Sequence, residues 1–211
     1  RKDGRFLAYF PFFVNIAGKE ALVAGGGKVA ARKVKTLLDF GANVKVVSPE
    51  AVPELRKLAE SGTVCLFLRK YRPEDLNSAA LVIAATGDKK VNRQISRGAQ
   101  EKLIPVNAVD EPELCTFFFP AVVRRGDFAV GITTSGSYPS FARYARQKIE
   151  SLFPASCGEM IASLSLVRKK VRREISDPDQ RRKILNRLLE QALQAEQKKE
   201  ETGNGNQDGR D

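Results

Sequence analysis

No histidine occurs anywhere in this 211-residue chain. Its absence removes Ser-His and Cys-His nucleophilic pairs, the common zinc sites and histidine acid–base chemistry. Any proton transfer falls to Asp, Glu, Lys, Tyr or Cys. Cysteine is scarce: Cys65, Cys115 and Cys157 lie 50 and 42 residues apart and make no CxxC pair. That odd, scattered set excludes a disulfide framework or a cysteine-zinc site and points to a reducing compartment, the cytoplasm. No apolar run approaches the roughly 20 residues a membrane span needs, so no membrane partner is expected. The opening "RKDGRFLAYFPFF" is basic then aromatic and carries no small-residue cleavage site, which speaks against a signal peptide.

Positive charge, by contrast, is abundant. The formal net charge is +11, and its placement is uneven: residues 1–154 hold 24 basic and 15 acidic side chains, residues 155–211 hold 12 and 10. The excess belongs to the body of the chain and not to a basic tail. Nucleic acid is one partner that such a balance suits, and a small polyanion is another. Composition does not choose between them.

Residues 20–110 alternate short apolar runs with amphipathic stretches. "EALVAGG", "NVKVVS", "VCLFL", "ALVIAAT" and "IPVNAV" read as five strands. "KVAARKVKTLLDF", a segment from about Pro49 to Glu60, and "DKKVNRQISRGAQEK" read as helices between them, with Gly41 a helix stop. "ALVIAAT" is continuously apolar, as a strand covered on both faces is. This alternation predicts a Rossmann-like parallel α/β sheet. After Asp110 the pattern changes to two strands in "CTFFFPAVVRRGDFAVGITTSG", joined by a turn at Arg124–Asp127. A helix starting at Pro139 follows, then helical stretches over roughly 156–175 and 178–199. The polar, glycine-rich end, residues 201–211, reads as disordered.

"LVAGGGKVAARK" carries the first functional signal. Gly25, Gly27 and Ala30 fit G-x-G-x-x-A, after a strand and before a helix, the context a dinucleotide fingerprint requires. The first glycine permits the tight turn, the second lets backbone approach a pyrophosphate, and the small third residue lets helix and strand pack closely. The helix N-terminus adds positive potential. The acid that would bind the ribose hydroxyls comes two residues late, as Glu50 in "VVSPE", so Ser48 and Pro49 stand in the ribose position as well. No arginine follows this strand immediately, which points to NAD over NADP.

Three longer stretches resemble the precorrin-2 dehydrogenase/sirohydrochlorin ferrochelatase family, the N-terminal module of siroheme synthases. They are "YFPFFVNIAGKEALVAGGGKVAARKVKTLLDFGANVKVVSPE", "ALVIAATGDKKVNRQI" and "PVNAVDEPELCTFFFPAVVRRGDFAVGITTSGSYPSFARYARQKIE", which together reach from residue 9 to about 153. The glycine loop is generic, but "NAVD", "FFFPAVV" and "ITTSGSYPSFAR" in this order are specific. The resemblance implies NAD-dependent oxidation of precorrin-2 to sirohydrochlorin, and in some members insertion of Fe2+. It also implies a homodimer whose middle segment exchanges contacts between subunits. On this reading residues 1–112 are an NAD-binding domain, 113–153 a small α+β dimerisation and active-site segment, 154–200 a C-terminal helical segment and 201–211 a tail. The nucleotide contacts fall on Gly25, Gly27, Lys28, Val29, Ser48, Pro49, Glu50 and Thr86, and the key acid on Asp110. Thr134 stands where siroheme synthases carry a serine of regulatory interest, so a serine-specific role does not carry over.

The residues suit this chemistry. Precorrin-2 carries eight carboxylates, which gives the positive body a reason; Arg124 and Arg125, and Arg143 and Arg146, are candidates to meet them. For any one of these a solvated surface role is the plainer reading. Thr133, Thr134 and Ser135 are placed either to line a tetrapyrrole pocket or to cap the next helix. A dehydrogenase needs a hydride acceptor and a base, and without histidine a carboxylate such as Asp110 is the natural base. The same residue in "VDEPEL" also fits a plain turn. Three consecutive phenylalanines, 117–119, are expected on both faces of a strand at the core or a dimer interface. No preformed metal cage is readable. Two other readings compete: an NAD-sensing regulatory domain would share the glycine loop but has no need of "NAVD". A nucleic-acid binder would explain the charge but not the fingerprint.

Overall fold

The computed structural model describes residues 10–204, which divide into two compact units. One holds the chain up to Phe119 with Thr133–Tyr138; the other holds Pro120–Ile132 and the chain from Pro139 onward.

The first unit is a five-stranded parallel sheet of β1 (Glu20–Ala24), β2 (Asn43–Val47), β3 (Val64–Phe67), β4 (Leu81–Ala84) and β5 (Val106–Ala108), in the order β3-β2-β1-β4-β5. Helices α1 (Lys28–Asp39), α2 (Pro53–Glu60) and α3 (Lys89–Glu101) connect the strands. Successive side chains of a strand face opposite ways. Ala21 and Val23 therefore enter one apolar cluster with Val34 and Leu37 of α1 and Leu55 of α2, while Leu22 and Ala24 enter another with Leu76, Ile95 and Ala99. Covering on both faces is why "ALVA" and "LVIA" need no polar alternation. The strand order reverses between β1 and β4. The loops after β1, β2, β4 and β5 all leave the same edge, around the crevice where such sheets bind ligands.

Local physics shifts two boundaries. Helix α2 begins at Pro53 and not near Pro49, because Val52 precedes a proline and is held extended (φ −62°, ψ 153°). The four residues released, 49–52, run beside the glycine loop, with the Val52 N–H donating to the Gly26 carbonyl at 2.9 Å. Phe117–Phe119 lie before the sixth strand and not within it. Pro120 follows them, and the rings of Phe117 and Phe119, 5.4 Å apart, pack on the α1 side of the sheet.

A buried ionic knot closes the far side of β2. Asp75, 3% exposed, takes both prongs of the Arg69 guanidinium at 2.7 and 2.8 Å and the Arg72 N–H at 2.9 Å, with Lys45 Nζ at 3.4 Å. The Arg69 fork holds the Asp75 carboxyl down to about 2 against the opposing effect of burial. A depressed carboxyl stabilises the fold fully above its unfolded value, near 4, and loses that contribution as pH falls through about 2. Asp75→Asn is therefore expected to lower stability by about 2–3 kcal/mol at neutral pH. The gap to wild type should narrow between about pH 4 and pH 2, read by urea denaturation. A gap that stays constant over that range would show that the ion pair contributes nothing.

The second unit starts with an antiparallel hairpin, β6 (Ala121–Arg125) and β7 (Phe128–Ile132), turned by Gly126-Asp127. Arg124 and Arg125 thus end a strand instead of forming the turn. Gly126 (φ +59°) supplies the left-handed backbone the turn requires. Three helices follow: α4 (Pro139–Leu152), α5 (Ser156–Glu174) and α6 (Pro178–Asn204). Phe128 stacks on Phe153 at 4.9 Å, and the Arg125 Nε donates to the Phe153 carbonyl at 2.9 Å. Helix α6 runs through residues 201–204, which the sequence pattern assigned to a disordered tail. Residues 205–211 of that tail lie outside the described residues. Among the described residues no helix is long and apolar enough to cross a membrane.

Candidate nucleotide and substrate site at the sheet edge

The glycine loop after β1 divides its labour. Gly25 has φ +128°, and a Cβ there would strike the Ala85 carbonyl of the neighbouring loop. Gly26, the middle glycine that the fingerprint leaves unspecified, is equally fixed: a Cβ would strike the Glu50 carbonyl. Gly27 differs. A Cβ on it would meet no atom within 4 Å, so the space before the N-terminus of α1 is open. Ala30, the small third residue, is fully buried against the sheet. The first N–H groups of α1, from Lys28 and Val29, have no carbonyl of their own helix to bond. An open cradle, unpaired N–H groups and a helix dipole together fit a dinucleotide pyrophosphate.

Ser48, the residue after β2, lies beside Phe67, the last residue of β3, and its N–H donates to the Phe67 carbonyl at 3.1 Å. Ser48 is buried, Pro49 and Glu50 are exposed, and Phe67 and Leu68 present apolar surface next to them. Thr86, after β4, is tied to a residue that sequence reading missed. Its N–H and hydroxyl both donate to Asn92 Oδ1, at 3.1 and 2.7 Å, and Asn92 Nδ2 returns a bond to the Thr86 carbonyl at 3.2 Å. The only signal in the sequence is an asparagine in the first turn of a helix that Asp88 caps through the Lys90 N–H at 2.8 Å.

Asp110 lies two residues beyond the end of β5, at the carboxyl edge of the sheet. It is exposed and left-handed, with φ +62°. Its neighbour Glu111 turns inward: Oε1 stands 3.7 Å from Arg93 Nε of α3, and the buried Oε2 has no hydrogen-bond partner. The loop's far end is pinned by Cys115, whose Sγ accepts the Ala108 N–H and donates to the Ala108 carbonyl, each at 3.2 Å. Burial pushes this thiol up from its ordinary value. Burial likewise lowers Lys33 of α1, whose ammonium rests 3.9 Å over the Phe119 ring. Lys33 sits in no motif that would single it out.

Thr133, Thr134 and Ser135 form a turn with Ser135 left-handed (φ +54°). Thr133 Oγ1 accepts the Ser135 N–H at 3.0 Å and Thr134 Oγ1 the Tyr138 N–H at 3.2 Å. These threonines and Asp110 belong to the first unit, Arg124 and Arg143 to the second. Arg124 Nε donates to the Gly126 carbonyl at 3.3 Å, and Arg143 is exposed on α4. Among the described residues no group of three or more acidic or cysteine side chains stands together as a metal cage.

Known proteins resemble this chain in sequence and in fold. The chain is 44% identical over 172 residues to a siroheme synthase of Methylobacillus flagellatus, covering 82% of this chain and 37% of that protein. It is 41% identical over 184 residues to a siroheme synthase of Pseudomonas paraeruginosa, covering 87% and 40%. For a siroheme synthase of Neisseria meningitidis the identity is 36% over 202 residues, covering 96% and 42%. The chain thus spans about two fifths of the length of these curated relatives. A solved structure, "SirC, precorrin-2 dehydrogenase", has the same fold: TM-score 0.70 at 22% identity, covering 88% of this chain and all of that one. Residues 12–121, just over half of the sequence, match the family model NAD_binding_7, described as "Putative NAD(P)-binding", and the chain belongs to this NAD(P)-binding family.

Proposed function

We propose that the chain catalyses the NAD-dependent dehydrogenation of precorrin-2 to sirohydrochlorin, releasing NADH and a proton. The observation that carries this reading is Asp110, exposed at the same sheet edge as the open Gly27 cradle in a chain without histidine. The names of the siroheme synthases and of the precorrin-2 dehydrogenase structure support it.

NAD, when bound, supplies the hydride acceptor. Gly25 and Gly26 hold the loop back, Gly27 leaves room for the pyrophosphate, and the N–H groups of Lys28 and Val29 receive it. Ser48, Pro49 and Glu50 flank the ribose position, and an acid there favours NAD over NADP. Thr86, fixed by Asn92, forms the opposite wall. Asp110 takes the proton that leaves the macrocycle. The Thr133 and Thr134 hydroxyls accept backbone N–H groups, so each keeps its own hydrogen to donate to a substrate carboxylate. Arg124 and Arg143 are the cations this reading assigns to the carboxylates of precorrin-2. Ferrous iron is a further substrate of this rim if insertion follows oxidation.

The working form in this reading is a homodimer, supported by apolar side chains exposed on the second unit, Phe141, Tyr144, Leu166 and Leu189 among them. The three cysteines are free, which supports the cytoplasm. Nucleic acid and membrane have no part in this reading. Under anaerobic conditions, protein with NAD and precorrin-2 is expected to give sirohydrochlorin and NADH in equal amounts. No conversion by folded, NAD-binding protein would end the proposal, and loss of sirohydrochlorin on adding Fe2+ would separately establish chelation.

A further inference from the structure

Consecutive residues of α3 each reach a different loop of the sheet edge. Asn92 grips Thr86 in the loop after β4 through three hydrogen bonds. Arg93, one residue on, faces Glu111 in the loop after β5 at 3.7 Å. Glu111 is 4% exposed, and its Oε2 is the one buried side-chain polar atom without a partner among the described residues. Such an atom is destabilising and calls for a reason. Beside it stands a second unfavourable feature, the left-handed backbone of Asp110, of a kind that persists only where the surroundings enforce it. The surroundings do enforce it. The Val109 N–H donates to the Ala84 carbonyl at 2.9 Å, the Leu114 N–H to the Glu111 carbonyl at 3.0 Å, and Cys115 closes the loop.

We propose that Asn92 and Arg93 act as a two-pronged clamp that sets the spacing between the cofactor wall at Thr86 and the acid at Asp110, with Glu111 as the receiver of the second prong. Glu111 and Arg93 are then positioning residues: they touch neither cofactor nor substrate, and act by holding Asp110 outward at a fixed distance from the nicotinamide. A general base works only within hydrogen-bond reach of its proton, so a small displacement lowers the chemical step and leaves cofactor binding alone. The buried carboxyl of Glu111 is the point against which the exposed Arg93 side chain rests, 3.7 Å away.

The proposal rests on Asp110 being the base, and the test separates the two. Arg93→Ala and Glu111→Gln are each expected to lower kcat about tenfold, with KM for NAD within twofold of wild type. The double variant should be no worse than either single one, because both break one contact. Arg93→Lys should recover most of the rate. Arg93 is 65% exposed, so its variants fold and carry the test even where Glu111→Gln does not. Wild-type kcat in Arg93→Ala, or losses that multiply in the double variant, would overturn the clamp. If those variants are fully active while Asp110→Ala is dead, the clamp alone falls; if Asp110→Ala keeps full rate, the base assignment has failed first.

Discussion

Asp110→Ala is expected to cut precorrin-2 turnover by roughly 10²–10⁴-fold while the Kd for NAD stays within about twofold. The size follows from the task. Removing hydride and proton together leaves the proton without a destination unless a base is in place, and positioned bases contribute rate enhancements of that order. The cofactor should not notice the change, because its cradle is built by residues 25–29 and 48–50, on other strands of the sheet. The fold should not notice it either. Asp110 is exposed and, among the described residues, no hydrogen bond ties its side chain, and alanine there bears only the modest strain of a left-handed residue. Initial rates of NADH formation and an NAD titration on the same preparation check both halves. A variant that turns over at the wild-type rate would move the base to another group, of which Glu113 in the same loop is the nearest exposed acidic candidate in sequence.

How much of this was legible beforehand depends on whether the cause was local. The five strands and three helices of the first unit were readable because the central strands β1, β4 and β5 are buried on both faces and each helix buries one stripe. Val34 and Leu37 of α1 repeat at helical spacing, and Gly41 (φ +75°) stops that helix as its lack of a side chain allows. The start of α2 was misread because Pro49 and Pro53 both look like first-turn prolines. The extended backbone of Val52 before Pro53, tied by its N–H to the glycine loop, decides between them. Phe117–Phe119 read as strand because aromatic runs favour strands, whereas Phe117 and Phe119 serve the core on the α1 face. The contacts of Asn92, Arg93 and Glu111 were invisible for a different reason. Their contacts join segments 6 to 18 residues apart through the geometry of a crossover, and no spacing rule encodes which helical residue will face which loop.

The glycine loop yields the other large effect, and there the structure divides one motif into two experiments. Gly27→Val is expected to leave the fold intact and to weaken NAD binding by about 10²–10⁴-fold. The fold survives because Gly27 is extended (φ −82°, ψ −179°), a conformation valine adopts readily, and its Cβ would meet nothing. Binding fails because the branched side chain occupies the space before α1. There, charge-assisted bonds from two N–H groups are worth about 1.5–3 kcal/mol each. Gly26→Ala should behave in the opposite way. Its Cβ strikes the backbone of Glu50, which cannot swing aside as a side chain could, so the loop or residues 49–52 must move. Overpacking of that kind removes about 1–3 kcal/mol of stability, and thermal denaturation should register it before any ligand is added. The contrast carries the inference. A cofactor role for the loop requires Gly27→Val to be stable and blind to NAD, whereas a purely structural turn would leave the NAD titration of Gly27→Val untouched.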